Sequence, residues 1–152
     1  MNMIQNAKAQ VLELTLQAYN KAADAGLLPA GCPVQPSVEI PKDTANGDYT
    51  TTFCLAAAKA LKKNPREVAQ LLLDNMELSG SYFTSAAMAG PGFLNFTLGT
   101  RWFGETVRAV QQAGKAYGEN DTLRGKKYMV EFVSANPTGP MHMGNARGGA
   151  LG

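Results

Sequence analysis

An apolar run that ends at a proline-rich turn constrains the fold of this chain most. Residues 128–133 are apolar except for Glu131, a pattern typical of a strand covered on both faces in a parallel sheet. Pro137 and Pro140 end that strand, because proline has no amide donor and restricts the residue before it. His142 then opens a segment that can form a helix. A strand, a turn and a helix N terminus in this order predict the first unit of a doubly wound domain.

Two residues at this predicted helix end are candidates for nucleotide contacts. Gly144 has no Cβ, so a nucleotide can lie close to its backbone, and free amides at a helix N terminus bind phosphate. His142, the one histidine of the chain, can donate a hydrogen bond to a phosphate or carboxylate oxygen. An H-x-G sequence also occurs by chance, but the strand and turn before this one favour a functional role.

The residues before this segment predict a separate domain of helices and an antiparallel sheet. Apolar residues at helical spacing from Ile4 to Ala22 predict a first helix that ends at Gly26. We expect a short strand at 38–40, and Asp48 as the cap of a second helix. The remaining predicted elements are a third helix from Asn64 to about residue 78, strands at 81–89 and 93–98, and a fourth helix that Thr100 caps and Gly114 ends.

The strand at 93–98 has two different faces. Period-two alternation puts Leu94, Phe96 and Leu98 on the core face, and Phe93 and Asn95 on the other. A ring that stacks on a base, next to an amide that pairs with its edge, is suited to reading RNA. Periodicity alone favours the alternative, in which Phe93 packs under a loop and Asn95 faces water.

Composition limits the classes of function. Lys and Arg number 14 against 12 Asp and Glu, and a net charge of +2 predicts no strong polyphosphate binding. Cys32 and Cys54 lie far apart without a nearby histidine, so we expect no zinc site and no disulfide. Residues 1–24 contain Lys8, Glu13, Lys21 and Asp24, which argues against a signal peptide or a membrane span, and two reduced cysteines suit the cytoplasm.

Two motif sets resemble those of bacterial arginyl-tRNA synthetases, which are class I aminoacyl-tRNA synthetases. Residues 47–51, 62–69 and 89–96 resemble the family's N-terminal additional domain. The family's HIGH-type motif resembles the segment Ala135, Asn136, Pro137, Thr138, Gly139, Pro140, Met141, His142, Met143, Gly144 and Asn145. Asn145 departs from the pattern, because the family commonly has a second histidine there. Asn donates and accepts hydrogen bonds but carries no charge.

The resemblance implies an α+β fold with two parts. Residues 1–113 would be the N-terminal domain that binds the tRNA D-loop, with an antiparallel sheet and flanking helices. Residues 114–125 would be a linker. Residues 126–152 would be the first strand and the truncated first helix of a Rossmann-like catalytic domain, which we expect to be too small to fold alone.

The resemblance also implies a role for each site residue. In the catalytic part, Glu131 would bind the guanidinium of the substrate arginine, and Ser134 and Asn136 would help to hold that arginine. His142 would contact both the arginine carboxylate and ATP, with Gly144 and Asn145 as further ATP contacts and His142 and Asn145 as the catalytic pair. In the N-terminal domain, Phe93 and Asn95 would contact a D-loop nucleotide.

An enzyme of this family activates arginine with ATP and Mg²⁺ and transfers it to tRNA(Arg). We expect this chain to be an N-terminal fragment that is inactive alone and holds no bound cofactor. The parent enzyme would be a cytoplasmic monomer, and the fragment would associate, if at all, through its tail. Two other classes stay open, namely a free-standing RNA-binding module and, less favoured, a nucleotidyltransferase with a similar histidine–glycine helix start.

Overall fold

The computed structural model describes residues 2–136 and 138–152. The chain forms two compact units, of which the first ends at Tyr117 and the second comprises Gly118–Gly152. The division falls within the residues that the sequence predicts as a linker, 114–125. Within the described residues, no helix is long and apolar enough to cross a membrane.

Within the described residues, the first unit contains four α-helices, two short 3-10 helices and three strands, and the second contains one α-helix. In chain order the elements are α1 (Met3–Asp24), β1 (Tyr49–Thr51), α2 (Phe53–Leu61), α3 (Pro65–Asp74), β2 (Phe83–Ala89), β3 (Phe93–Leu98), α4 (Thr100–Ala113) and α5 (Met143–Leu151).

A three-stranded antiparallel sheet with the order β1-β3-β2 forms the centre of the first unit. One face of the sheet packs on helices, and its central residues Leu94 and Phe96 are fully buried. Phe83 contacts Phe96 edge to face at 5.4 Å and Tyr49 at 6.1 Å between ring centroids. The predicted α+β class and the predicted core face of β3 are therefore confirmed.

Side-chain caps fix the start of two helices. Asn2 accepts hydrogen bonds from the amides of the first turn of α1, and Asn64 accepts one from the Arg66 amide at 2.9 Å. Pro65 follows Asn64 as the first helical residue, where its missing N–H costs nothing. The predicted start of α3 is confirmed, although the helix ends at Asp74 rather than near residue 78.

The segment before α2 differs from the prediction. Asp48 does not cap the helix; its carboxylate accepts a hydrogen bond from the Leu98 amide at 2.7 Å. Tyr49–Thr51 instead pairs with β3 and forms β1. The local sequence does not indicate this strand, because its partner lies more than forty residues further along the chain. The strand predicted at 38–40 is reduced to one antiparallel bridge between Glu39 and Thr50.

Helix α4 is largely exposed. Phe103, Val107 and Val110 are 53%, 56% and 40% exposed, whereas Trp102 packs against the core. The Trp102 indole N–H donates to the Met3 carbonyl at 3.1 Å and so holds the start of the helix. Gly99, not Thr100, is the N-cap, and no side chain caps this end.

The second unit lacks the predicted strand. Residues 128–133 form neither helix nor strand and are exposed. A strand needs a neighbouring strand for its N–H and C=O groups, and the described residues of this unit provide none. The segment instead runs beside α5, where a Cβ on Gly148 would lie 2.7 Å from the Phe132 carbonyl oxygen.

Candidate functional site

The open face of the sheet holds a cavity of about 430 Å³. Side chains and backbone from four separate segments line it: the stretch before β1, the turn that leads into β1, β1 itself, and the β2–β3 hairpin. The lining residues are Glu39, Ile40, Pro41, Lys42, Asn46, Thr50, Ala89, Gly90, Phe93 and Asn95. Phe93 and Asn95, the predicted RNA-contacting pair, therefore line one cavity.

Small neighbours leave both of these side chains accessible. Ala89 lies opposite Phe93 across the β2–β3 ladder, and Asn95 lies between Ala87 on one side and Thr50 on the other. Within the described part of the chain, the close aromatic pairs do not include Phe93. Its half-buried ring is therefore held in place without being stacked by another aromatic side chain.

The glycines of the β2–β3 turn have a different role from the one that the sequence predicts. The family resemblance implies that Gly90 to Gly92 give a nucleotide room at the backbone. Gly92 is instead buried, and a Cβ on it would lie 2.9 Å from the Cβ of Pro65. Its hydrogen atom lets the hairpin pack on the start of α3. Gly90 does line the cavity, and a Cβ there would lie 3.7 Å from the Phe93 ring.

A fixed turn positions Asn46 beside Asn95. The Asp43 carboxylate caps this turn by accepting from the Ala45 amide at 2.9 Å. Gly47 ends it with a φ of 85°, and a Cβ there would lie 2.8 Å from the Phe96 carbonyl oxygen. The Asn95 side-chain amide donates to Asn46 Oδ1 at 3.3 Å. This contact turns the Asn95 amide nitrogen toward Asn46.

Cationic side chains lie near the cavity. Lys42 is part of its lining. The exposed residues Lys62, Lys63 and Arg66 flank the start of α3, whose Pro65 touches Gly92 in the hairpin. Lys42 and this group of exposed cations therefore lie on the same side of the first unit as the half-buried Phe93 ring.

In the second unit, His142 caps α5. Its Nδ1 accepts a hydrogen bond from the Gly144 amide at 3.1 Å, and its own amide donates to Asn145 Oδ1 at 3.1 Å. A neutral imidazole that accepts at Nδ1 carries its proton at Nε2, which therefore remains a donor for a ligand. The ring lies over Gly144, where a Cβ would be 3.0 Å from His142 Cε1. Gly144 thus makes room for the histidine ring, whereas the sequence predicts room for a nucleotide.

Most of the predicted arginine and ATP residues lie together in this unit. A cavity of about 310 Å³ is lined by Ser134, Ala135, Asn136, Thr138, Gly139, Pro140, Met141, His142 and Asn145. His142, Asn145, Met141 and Met143 also line an adjoining cavity of about 630 Å³. Glu131 lines neither cavity. Pro137, which belongs to the predicted motif, lies outside the described residues.

The cysteines take no part in either site. Cys54 is buried in the core, and burial raises the pKa of its thiol to about 12. Cys32 is half-buried, and its thiol donates to the Val34 carbonyl at 3.0 Å.

Residues 8–98 match the family model described as the arginyl tRNA synthetase N terminal domain. The chain belongs to this family. The matched residues include β1, β2 and β3 and therefore the whole lining of the open-face cavity.

Curated relatives match beyond the family's N-terminal domain. An arginine–tRNA ligase of Acetivibrio thermocellus is 45% identical over 151 residues, which is 99% of this chain and 27% of that protein. One from Geobacillus thermodenitrificans is 40% identical over 152 residues, which is 100% of this chain and 27% of that protein. The chain thus spans about a quarter of their length. A solved structure of Thermus thermophilus arginyl-tRNA synthetase has a TM-score of 0.49 at 28% identity, and the match covers 95% of this chain and 22% of that one.

In this arginyl-tRNA synthetase N-terminal domain, the sequence interpretation missed most of the cavity residues, among them Asn46 and Thr50. Both lie in the segment that the sequence predicts as a polar turn and a helix start. The β-branched pair Thr50-Thr51 beside Tyr49 was the available signal for a strand, and three residues were too few to outweigh Asp48 as a helix cap.

Proposed function

We propose that the first unit binds the D-loop of tRNA(Arg), with Phe93 stacking on a base and Asn95 pairing with its edge. The arrangement of β3 supports this most directly. The strand buries Leu94 and Phe96 in the core and leaves Phe93 and Asn95 to line a cavity on the open face. An unstacked ring beside an amide suits a base that is splayed out of a loop.

The charges near the cavity suit the rest of such a ligand. Lys42 at the rim, and Lys62, Lys63 and Arg66 near the hairpin, are placed to contact phosphates on either side of the base. Phosphate contacts position an RNA, whereas base contacts make it specific. A few cations beside the cavity, on a chain whose net charge is only +2, suit modest affinity without a general polyanion surface.

We further propose that the second unit supplies the start of the arginine and ATP site of an arginine–tRNA ligase. Ser134 and Asn136 would hold arginine, and His142 Nε2–H would donate to the α-phosphate at the N terminus of α5. In the reaction, the arginine carboxylate attacks the α-phosphorus of Mg-ATP, the bond to the pyrophosphate oxygen breaks, and arginyl-adenylate and pyrophosphate form. The terminal ribose hydroxyl of tRNA(Arg) then attacks the arginyl carbonyl and AMP leaves.

In this proposal Asn145 has a role different from that of a second histidine. Its carbonyl oxygen accepts from the His142 amide, so it keeps the capping histidine in place. The whole enzyme would act as a cytoplasmic monomer. In the experiments below, the full-length enzyme is an arginine–tRNA ligase as long as the relatives, and it contains these 152 residues.

Phe93→Ala in the full-length enzyme should weaken tRNA(Arg) binding by about 1–3 kcal/mol, because the stacking of one base is lost. Fluorescence anisotropy with labelled tRNA(Arg) measures the change. Arginine-dependent ATP–pyrophosphate exchange without tRNA coupling should be unaffected. Phe103→Ala removes an equally large, exposed ring from α4 and serves as the matched control. Equal affinity of the Phe93→Ala and Phe103→Ala enzymes would refute the D-loop contact.

Glu131→Gln in the full-length enzyme should raise the KM for arginine roughly 10-fold or more, while kcat changes little. The substitution keeps the shape of the side chain but removes the charge that would pair with the guanidinium; a charge-assisted hydrogen bond contributes about 1.5–3 kcal/mol. Steady-state exchange kinetics at varied arginine concentration give both constants. An unchanged KM would remove Glu131 from the arginine site.

A further inference from the structure

The side chain of Thr50 lines the open-face cavity, yet its hydroxyl has no hydrogen-bond partner. The residue is 8% exposed, and Thr50 Oγ1 is buried and makes no hydrogen bond within the described residues. A buried hydroxyl without a partner costs about 1–3 kcal/mol, so most are paired in native proteins. This one therefore requires an explanation.

Packing does not provide that explanation. The backbone of Thr50 is satisfied, because its amide and carbonyl both bond to Glu39 at 2.9 Å. The β-branched shape suits a strand, but valine has the same shape without the polar atom. Its neighbour Thr51 shows the contrast, since the Thr51 hydroxyl accepts from the Phe53 amide at the start of α2.

The position of Thr50 in the sheet suggests a role in ligand binding. Thr50 lies directly opposite Asn95 in the β1–β3 ladder, and directly opposed residues have Cβ atoms about 4.5–5.5 Å apart. Two side chains at that separation reach neighbouring atoms on one base edge. A rotation of about 120° around χ1, from one staggered well to the next, moves the threonine hydroxyl to the position that the methyl group held. A ligand in the cavity can therefore draw the hydroxyl to the cavity wall.

The Asn95 side chain, opposite Thr50, is already partly engaged. Asn95 donates one amide hydrogen to Asn46 Oδ1, which leaves its carbonyl oxygen for a ligand. We propose that Thr50 is a further specificity-determining residue, whose hydroxyl hydrogen-bonds to the same nucleotide base that Phe93 and Asn95 hold. This inference rests on the proposed D-loop contact. A hydroxyl both donates and accepts, so it pairs with the base atom that Asn95 does not contact.

Thr50→Val in the full-length enzyme tests this inference, because it removes the hydroxyl and keeps the shape. We expect tRNA(Arg) binding to weaken about 3- to 10-fold, the range that one net hydrogen bond contributes. The midpoint of urea unfolding of the 152-residue chain should stay the same or rise, because an unpaired buried polar group is gone. Thr50→Ser keeps the hydroxyl and should bind tRNA within about 2-fold of the unmodified enzyme.

A second experiment uses tRNA(Arg) that is assembled from two synthetic halves. Each version of this tRNA has an abasic site at one position of the D-loop. The position whose base matters most to the unmodified enzyme identifies the nucleotide that is bound. At that abasic position, Thr50→Val and the unmodified enzyme should bind with equal affinity. The inference is overturned if Thr50→Val binds intact tRNA(Arg) normally, or if its deficit persists on the abasic tRNA.

The experiments distinguish a failure of the Thr50 inference from a failure of the D-loop proposal. If Thr50→Val has no effect while Phe93→Ala and the abasic site weaken binding, the D-loop contact stands and Thr50 is not part of it. If neither Phe93→Ala nor any abasic site changes the affinity, the D-loop proposal itself is wrong, and the inference about Thr50 fails with it.

Discussion

Phe96→Ala is expected to lower the free energy of unfolding of this chain by about 3–5 kcal/mol. Phe96 is fully buried in the central strand and packs edge to face on Phe83 at a centroid distance of 5.4 Å. Its replacement removes apolar surface from the core and leaves a cavity between the sheet and the helices. Urea denaturation followed by circular dichroism measures the loss. Since a domain is usually stable by only about 5–15 kcal/mol, much of the margin would be gone.

Phe103→Ala is the matched control for this prediction. The side chain has the same size but is 53% exposed on α4, so its removal should cost less than about 1 kcal/mol. A similar loss for both variants would mean that β3 does not lie at the centre of the core. A Phe96→Ala chain that fails to fold supports the prediction, provided that the Phe103→Ala chain folds.

His142→Ala in the full-length enzyme should lower arginine-dependent ATP–pyrophosphate exchange by about 10²-fold or more. The expected cause is loss of the Nε2–H donor, because a donor aimed at developing charge commonly contributes that much. The hydrogen bond from the Gly144 amide to Nδ1 holds the ring with Nε2 free, and this is the geometry that the proposal needs. The initial rate of exchange at saturating arginine reports the chemical step without a contribution from weakened arginine binding.

The same substitution also removes a helix cap, so a second variant is needed. His142→Ser keeps an N-cap side chain of the favoured kind and lacks the imidazole. If His142 acts on the phosphate, both variants should be equally impaired. Recovery of exchange in His142→Ser would show that the residue only starts the helix, and normal exchange in His142→Ala would remove it from the site altogether.

Local patterns predicted the elements whose signals lie close together in the chain. Asn64 and Pro65 are adjacent and define the start of α3, and the two faces of β3 follow from alternation along six residues. The same alternation identified Phe93 and Asn95 as residues of the open face. In each case the physical cause, a cap or a pleat, acts within a few residues.

Long-range pairing accounts for what the sequence did not predict. β1 exists because Tyr49–Thr51 pairs with a strand more than forty residues away, and Asp48 bonds to that strand instead of capping α2. Thr50 and Asn46 reach the cavity only through this pairing. Residues 128–133 show the reverse case, since their apolar pattern favours a strand but no described strand of their unit pairs with them.

The alternation of β3 separates two kinds of evolutionary constraint within one strand. Substitutions at Leu94 or Phe96 alter how firmly the domain is folded, whereas substitutions at Phe93 or Asn95 act on the opposite face, where the neighbours Ala87 and Ala89 are small. If the open face binds an RNA base as proposed, related domains can change the preferred base through single substitutions at these two positions. The core residues between these positions need no compensating change.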